Sequence, residues 1–236
     1  MHVSSTKRLT SIPLFPLPDF FLFPGAVVPL HIFEPRYRQM VDDLMDTAGR
    51  LVTASVRRQH AGQLAQSPPV FPVGGLGEIV HHKCLEDGRY LVWLLGLSRV
   101  SMDEIPSERL YRKVDAWVIP DRMGELEAQT GGFAGDFAGD FELGGPVRDG
   151  RDHDLLASLL KAVRSREARG VDIADDLPLG LLADLLLQNL DLRTDRLEYV
   201  FAERNILRRA ALALNWHREQ QIREQQNREA SSPDQL

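Results

Sequence analysis

The chain has 236 residues, 43% hydrophobic and 26% charged, which is ordinary for a globular protein and enough to bury a real core. Its net charge of −6 divides into 13 Lys and Arg against 12 Asp and Glu over residues 1–120, and 15 against 22 over residues 121–236; neither half offers the basic surface that a phosphate backbone attracts, which argues against nucleic acid as a partner. With Cys84 as the sole cysteine no intrachain disulfide can form, and with no secretory leader and no apolar run near the ~20 residues of a membrane span, the expected setting is the cytoplasm.

Residues 1–11 are polar and are expected to be a flexible N-terminus. From Ile12 to Tyr37 the chain reads IPLFPLPDFFLFPGAVVPLHIFEPRY, six prolines in 26 residues interleaved with Phe15, Phe20, Phe21, Phe23 and Phe33. Proline fixes φ, donates no backbone hydrogen bond and pushes the preceding residue towards extended geometry, so no long helix runs here. The apolar residues between the prolines still demand burial. The expectation is an extended, β-rich start broken by fixed turns. Side chains alternate along such a segment, so Phe21 and Phe23 share one face and Phe20 takes the other. Core packing is the first expectation for them. Any part of the set left exposed would form an apolar docking edge, which makes Phe20, Phe21 and Phe23 the candidate peptide-binding residues.

Glu34-Pro35 opens a helix, with proline in the first turn where its missing N–H costs nothing. Tyr37, Met40, Val41 and Leu44 recur at helical spacing, and Gly49 is the expected stop. Strands are expected at Leu51–Val56, Val70–Val80, Tyr90–Leu97 and Tyr111–Ile119, with a polar loop at residues 57–69 and a turn at Asp87-Gly88. Short strands at this spacing predict a small barrel or sandwich.

The proline-rich opening resembles that of the substrate-binding N-terminal domain of Lon-type ATP-dependent proteases. The likeness is carried by Pro13-Leu14-Phe15-Pro16-Leu17, Leu22-Phe23-Pro24-Gly25 and Pro29-Leu30-His31-Ile32-Phe33-Glu34-Pro35-Arg36-Tyr37. It continues through Pro72-Val73-Gly74, Gly77-Glu78-Ile79, Asp87-Gly88-Arg89-Tyr90 and Leu94-Leu95-Gly96-Leu97-Ser98-Arg99. The resemblance implies a PUA-like, β-barrel-like subdomain over residues 12–120.

Residues 121–150 change texture. A tandem Phe-Ala-Gly-Asp at 133–136 and 137–140 has too few copies for a repeat architecture, and the glycine density reads as a linker or insertion. A helical subdomain follows over residues 151–225. Its first helix turns Leu155, Leu156, Leu159, Leu160 and Val163 inward. A second starts at Asp176-Leu177-Pro178 with Leu179, Leu182, Ala183, Leu186 and Leu187 inward. A third, long helix carries Leu197, Val200, Phe201, Ile206, Leu207, Ala210, Ala211 and Leu214. Three such helices can pack as a bundle, and residues 226–236 form a polar tail. The fold class expected is α+β, a β-rich subdomain followed by a helical bundle.

Catalytic motifs are missing. A phosphate loop needs a lysine after glycine, and none of Lys7, Lys83, Lys113 or Lys161 follows one. The chain leaves no room for a Ser-Lys peptidase after the helices. In His81-His82-Lys83-Cys84, His82 and Cys84 share one face, too few ligands for a structural zinc. His31 reads as structural. No catalytic, cofactor-binding or metal-binding residue is assigned, and no enzyme activity, cofactor or membrane association is expected. What the resemblance implies is a stand-alone, non-catalytic polypeptide-binding protein that recognises unfolded or degron-bearing polypeptides. An adaptor or regulator docked on a protease complex, and a small-ligand binder of PUA-like fold, are the alternatives. Oligomeric state stays open.

Overall fold

A computed structural model describes residues 7–56, 67–124, 151–166 and 173–230. In it the strands are β1 (Arg8–Pro18), β2 (Val27–Ile32), β3 (Arg50–Val56), β4 (Val73–Cys84), β5 (Tyr90–Ile105) and β6 (Arg112–Val118). The helices are α1 (Pro35–Met45), α2 (Arg151–Arg166), α3 (Leu179–Gln188), α4 (Thr194–Ala202) and α5 (Ile206–Ala230). The class is α+β, as expected. The Phe-Ala-Gly-Asp repeat at 133–140 and most of the 57–69 loop lie outside the described residues.

Two compact units divide the chain: Met1–Pro120 with Asp191–Ala202, and Asp121–Leu190 with Glu203–Leu236. One boundary between the units falls between Pro120 and Asp121. The helical half differs from the expected one, because the segment holding α4 belongs with the strands.

In the first unit the sheet order is β2-β5-β4-β3-β1-β6, and β6 also pairs with β5, so the ladder of hydrogen-bonded strands returns on itself. Strand β1 runs parallel to β3 and antiparallel to β6. It starts at Arg8 rather than Ile12, which revises the expectation of a loose segment through residue 11. Asp115 on β6 explains the early start. Its carboxylate pairs with Arg8 at 2.8 Å and accepts from the Ser11 amide at 3.0 Å, and these bonds hold it below the usual carboxylate pKa. Strand β5 runs through Ile105, well past the expected end at Leu97, because its second half pairs with both β4 and β6.

Asp87-Gly88 forms the β4–β5 turn, with Gly88 at φ +76°, a conformation that glycine adopts without steric cost. Helix α1 starts at Pro35 and buries Tyr37, Met40, Val41 and Leu44, as the spacing predicts. These residues join Phe15, Leu22, Ile32, Leu51, Val92 and Leu94 in one cluster. A second cluster gathers Leu14, Val52, Ala54, Leu76, Val100, Val114 and Ala116.

The long third helix of the sequence reading is two helices. Asn205 makes the break: its amide donates to the Glu203 carboxylate at 2.8 Å, and its own Oδ1 accepts from the Leu207 and Arg208 amides at 3.0 and 3.3 Å. This is N-capping chemistry, which ends α4 and starts α5 afresh. In α4, Val200 and Phe201 are buried, and Thr194 Oγ1 donates to the Asp19 carboxylate at 2.8 Å. The helix α5 stays regular to Ala230, beyond the expected onset of a tail at residue 226.

In the second unit α2, α3 and α5 pack on one another. Leu159, Val163, Leu182, Ala183, Leu186, Leu187, Ala210 and Leu214 are buried there, as expected from their spacing. Arg209, fully buried on α5, is surrounded by acceptors. Asp121 takes a bidentate pair at 2.7 and 3.2 Å, and the Glu203 carbonyl accepts at 2.9 Å. Asp184, also buried, accepts from Arg209 Nη2 at 3.5 Å and lies 2.7 Å from Nε as an ion pair.

His217 is buried on the same helix and accepts from Arg166 Nε at 3.3 Å through Nδ1. Burial first, and Arg166 second, lower its pKa below the usual 6.5. The unfolded chain therefore takes up this proton more readily than the folded one. The contribution to stability is intact above about pH 6.5 and is lost as pH falls. Calorimetry between about pH 7 and 5 is expected to give a smaller drop in melting temperature for His217→Gln than for the parent chain. Equal drops would show that another group titrates.

Candidate functional site

Phe21 and Phe23 are buried, and both rings pack on Phe201 of α4, at centroid distances of 5.4 and 5.0 Å. Phe20 is half-buried and packs with Leu22 against the α1 cluster. The expected alternation holds, with 21 and 23 on one side and 20 on the other. The docking edge built from these three does not form, because Phe201, far away in sequence, covers two of them. Gly96 lets this segment lie tight on β5, since a Cβ there would run into the Phe23 carbonyl oxygen.

The exposed apolar surface lies next along the chain. Strand β2 alternates strictly. Val28, Leu30 and Ile32 point into the core, while Val27, Pro29, His31 and then Phe33 face out. Val27 is 50% and Phe33 58% exposed, and the His31 and Phe33 rings lie 5.8 Å apart. Opposite this row on β5, Val27 faces Leu95, Pro29 faces Trp93 and His31 faces Leu91. Leu97 continues the β5 row at 36% exposure.

On the far side of β5, β4 aligns His81 with Trp93 and Lys83 with Leu91, and the His81 and Trp93 rings lie 4.8 Å apart. A register shift between Ile79 and His81 leaves Val80 exposed at this edge. The outer face of β2, β5 and the end of β4 is thus an apolar strip flanked by His31, His81 and Lys83. Strips of this kind on a soluble protein mark interaction surfaces.

Strand β2 ends the sheet order, pairing only with β5 among the described residues. Pro29 sits in its middle and donates no N–H, as is usual for proline at a sheet edge. The arrangement favours contact through side chains over the face rather than addition of a further strand.

His82 and Cys84 align with Val92 and Tyr90, on the opposite face from His81. Among the described residues no three His, Cys, Asp or Glu side chains come together as a metal would require. Two tyrosines with raised pKa, Tyr90 and Tyr111, tie α1 to the strands. Tyr90 donates to Asp42, and Tyr111, desolvated and donating to Asp43 at 2.8 Å, is pushed up to about 12.

The closed ladder of strands and its exposed apolar face define a β-rich module with a side-chain surface open to contact. A family model, the ATP-dependent protease La (LON) substrate-binding domain, matches residues 11–217, and the chain belongs to that family. Among solved structures, a Lon N-terminal domain protein from Xanthomonas campestris matches at TM-score 0.57 and 23% identity, over 88% of this chain and 99% of that one. The N-terminal domain of a Mycobacterium avium complex Lon protease matches at TM-score 0.58 and 17% identity, over 88% and 97%. Both show likeness of fold. Among curated relatives, Lon protease 2 of Sorangium cellulosum is 30% identical over 125 residues, 52% of this chain and 16% of the relative. Lon protease 2 of Syntrophobacter fumaroxidans is 25% identical over 118 residues, 49% and 15%. The chain spans about one sixth of the length of these proteases.

The sequence did hold a signal for the outer face. In VVPLHIF both alternating sets are largely apolar, although an edge strand of a small sheet needs only one buried face.

Proposed function

We propose that this chain is a non-catalytic polypeptide-binding protein that takes unfolded or degron-bearing polypeptides on the outer face of β2 and β5. The observation that carries the reading is the exposed apolar row Val27, Pro29 and Phe33 beside Leu97, in a chain of the Lon substrate-binding family. The ring of strand pairings supports a PUA-like barrel for the β-rich unit. The two curated relatives match over 15% and 16% of their own length, and the sequence carries no phosphate loop, both of which favour binding without catalysis. No helix among the described residues is long and apolar enough to cross a membrane, and a cytoplasmic setting fits the composition.

The test is fluorescence anisotropy with a labelled, permanently unfolded polypeptide. Val27→Glu with Phe33→Glu places two charges where apolar chain would dock, and at least about a tenfold loss of affinity is expected. The melting temperature is expected to change by no more than about 2 °C, since both positions are exposed. Unaltered affinity would move the site elsewhere. A native pull-down separates the reading from an adaptor role: many unrelated polypeptides fit substrate binding, and a single stoichiometric partner fits an adaptor.

A further inference from the structure

The outer face of the sheet is ordered in rows that run across its strands. Pairing sets Val27, Leu95 and Glu78 side by side, then Pro29, Trp93 and His81, then His31, Leu91 and Lys83. Members of a row lie on neighbouring strands, about 5 Å apart, and successive rows are two residues, or about 6.7 Å, apart along a strand. The centre of every row, on β5, is apolar. The flanks differ. The first row has Val27 on one side and Glu78 on the other. The third has His31 on one side and Lys83 on the other.

The charges of this face do not cancel row by row. Glu78 is held by Arg50 at 2.9 Å. Lys83 is exposed, and among the described residues it makes no ion pair. The carboxylates beyond the third row are Glu34, paired with Arg36 at 2.8 Å, Asp87, paired with Arg89 at 2.6 Å, and Glu86 in the turn past the end of β4. His31 is exposed as well, and an imidazole keeps at least one N–H donor in either protonation state. The third row therefore sets an uncompensated ammonium and an N–H donor on the two sides of Leu91. Such a row suits a carboxylate better than an apolar side chain.

An extended polypeptide presents its side chains to one face at every second residue, which is the spacing of the rows. Lying along β5, it sets alternate side chains over Leu95, Trp93 and Leu91. The first two meet apolar surface. The third comes between Lys83 and His31.

We infer that this face selects extended segments in which two apolar side chains at alternate positions are followed, two residues further on, by Asp or Glu, whose carboxylate Lys83 receives. The inference rests on the polypeptide-binding reading and names the class of sequence taken at that site.

The test is fluorescence anisotropy with labelled peptides in which apolar residues alternate with serine and the third apolar position carries Glu, Gln or Lys. Each is made in both chain directions, since side-chain contacts do not fix the direction. In at least one direction the Glu peptide is expected to bind the parent chain about fivefold tighter than the Lys peptide, with Gln between them. Raising the salt concentration from about 0.05 to about 0.5 M shrinks the difference. In Lys83→Glu the order of the Glu and Lys peptides reverses, while the Gln peptide keeps its affinity. The melting temperature of the variant is expected to match the parent, because the side chain is exposed.

Equal binding of the three peptides to the parent chain, or an order that survives in Lys83→Glu, overturns the inference and leaves polypeptide binding standing. Failure of every peptide to bind also overturns it. Whether the polypeptide reading falls with it is then decided by the permanently unfolded polypeptide, whose sequence is not built on this pattern.

Discussion

Replacing Phe201 by alanine is expected to lower the stability of the β-rich unit by about 3–5 kcal/mol. The ring is 2% exposed and stands between Phe21 and Phe23, nearly perpendicular to the latter. Burial of one large side chain accounts for most of the cost, and each aromatic pair adds about 0.5–1.5 kcal/mol. The cavity cannot collapse easily, because Phe21 and Phe23 sit on a segment tied to β5 by Gly25 N to Gly96 O at 2.9 Å and Gly96 N to Ala26 O at 2.8 Å. Nearby, Arg99, buried on β5, donates to the Phe201 carbonyl at 3.4 Å, so distortion of α4 also threatens a buried charge. Calorimetry is expected to show the melting transition fall by roughly 10 °C, at about 2–4 °C per kcal/mol for a chain of this size. Phe201→Leu should recover most of it. A loss under about 1 kcal/mol would mean that α4 does not seal this core.

Arg209→Leu is the second large effect, again about 3–5 kcal/mol. The substitution is apolar but shorter, so the space left by the guanidinium adds a packing cost that does not depend on pH. The cost arises at Asp184, 2% exposed, which loses the guanidinium 2.7 Å from its Oδ1. A carboxylate left there without that cation takes up a proton more readily than in the unfolded chain. Its folded pKa then lies above the unfolded value of about 3.9, so the penalty grows as pH rises through that window and shrinks in acid. Adding Asp184→Asn to Arg209→Leu removes the charge and is expected to restore a large part of the stability at neutral pH. Urea titrations at about pH 4.5 and pH 7.5 separate the cases. A deficit independent of pH would show that packing, rather than the stranded charge, is what Arg209 supplies.

Local chemistry was legible where the partners are near in sequence. Glu34-Pro35 announces α1, and Asp87-Gly88 announces the β4–β5 turn, because both depend on φ and on the groups beside them. The apolar spacing of α2 and α3 likewise named Leu159, Val163, Leu182, Ala183, Leu186 and Leu187 as buried, while Leu155, Leu156, Leu160 and Leu179 are half-buried. Long-range partners were not legible. Nothing around Phe21 and Phe23 reveals that Phe201 will cover them, so the candidate docking residues became core. Apolar periodicity across residues 197–214 concealed the break at Asn205, since a capping side chain leaves the hydrophobic pattern intact. Arg209 reads as a polar position on a helix; its burial follows from Asp121 and Asp184, which lie on other segments.

The outer face of β2 was missed for a related reason. Alternation assigns Phe33 and Val27 to one side of the strand, but only the sheet order reveals that this side is left uncovered at an edge. Family likeness pointed to polypeptide binding without pointing to that face.

The most direct measurement is a map of backbone amide signals as an unfolded polypeptide is titrated into the isotope-labelled protein. The account predicts perturbations along Val27–Phe33, along the outward row Leu91, Trp93, Leu95 and Leu97, and at Val80–Lys83, with the buried row Val92 and Leu94 less affected. Binding whose perturbations avoid β2 and β5 and fall on α2, α3 and α5 would contradict it.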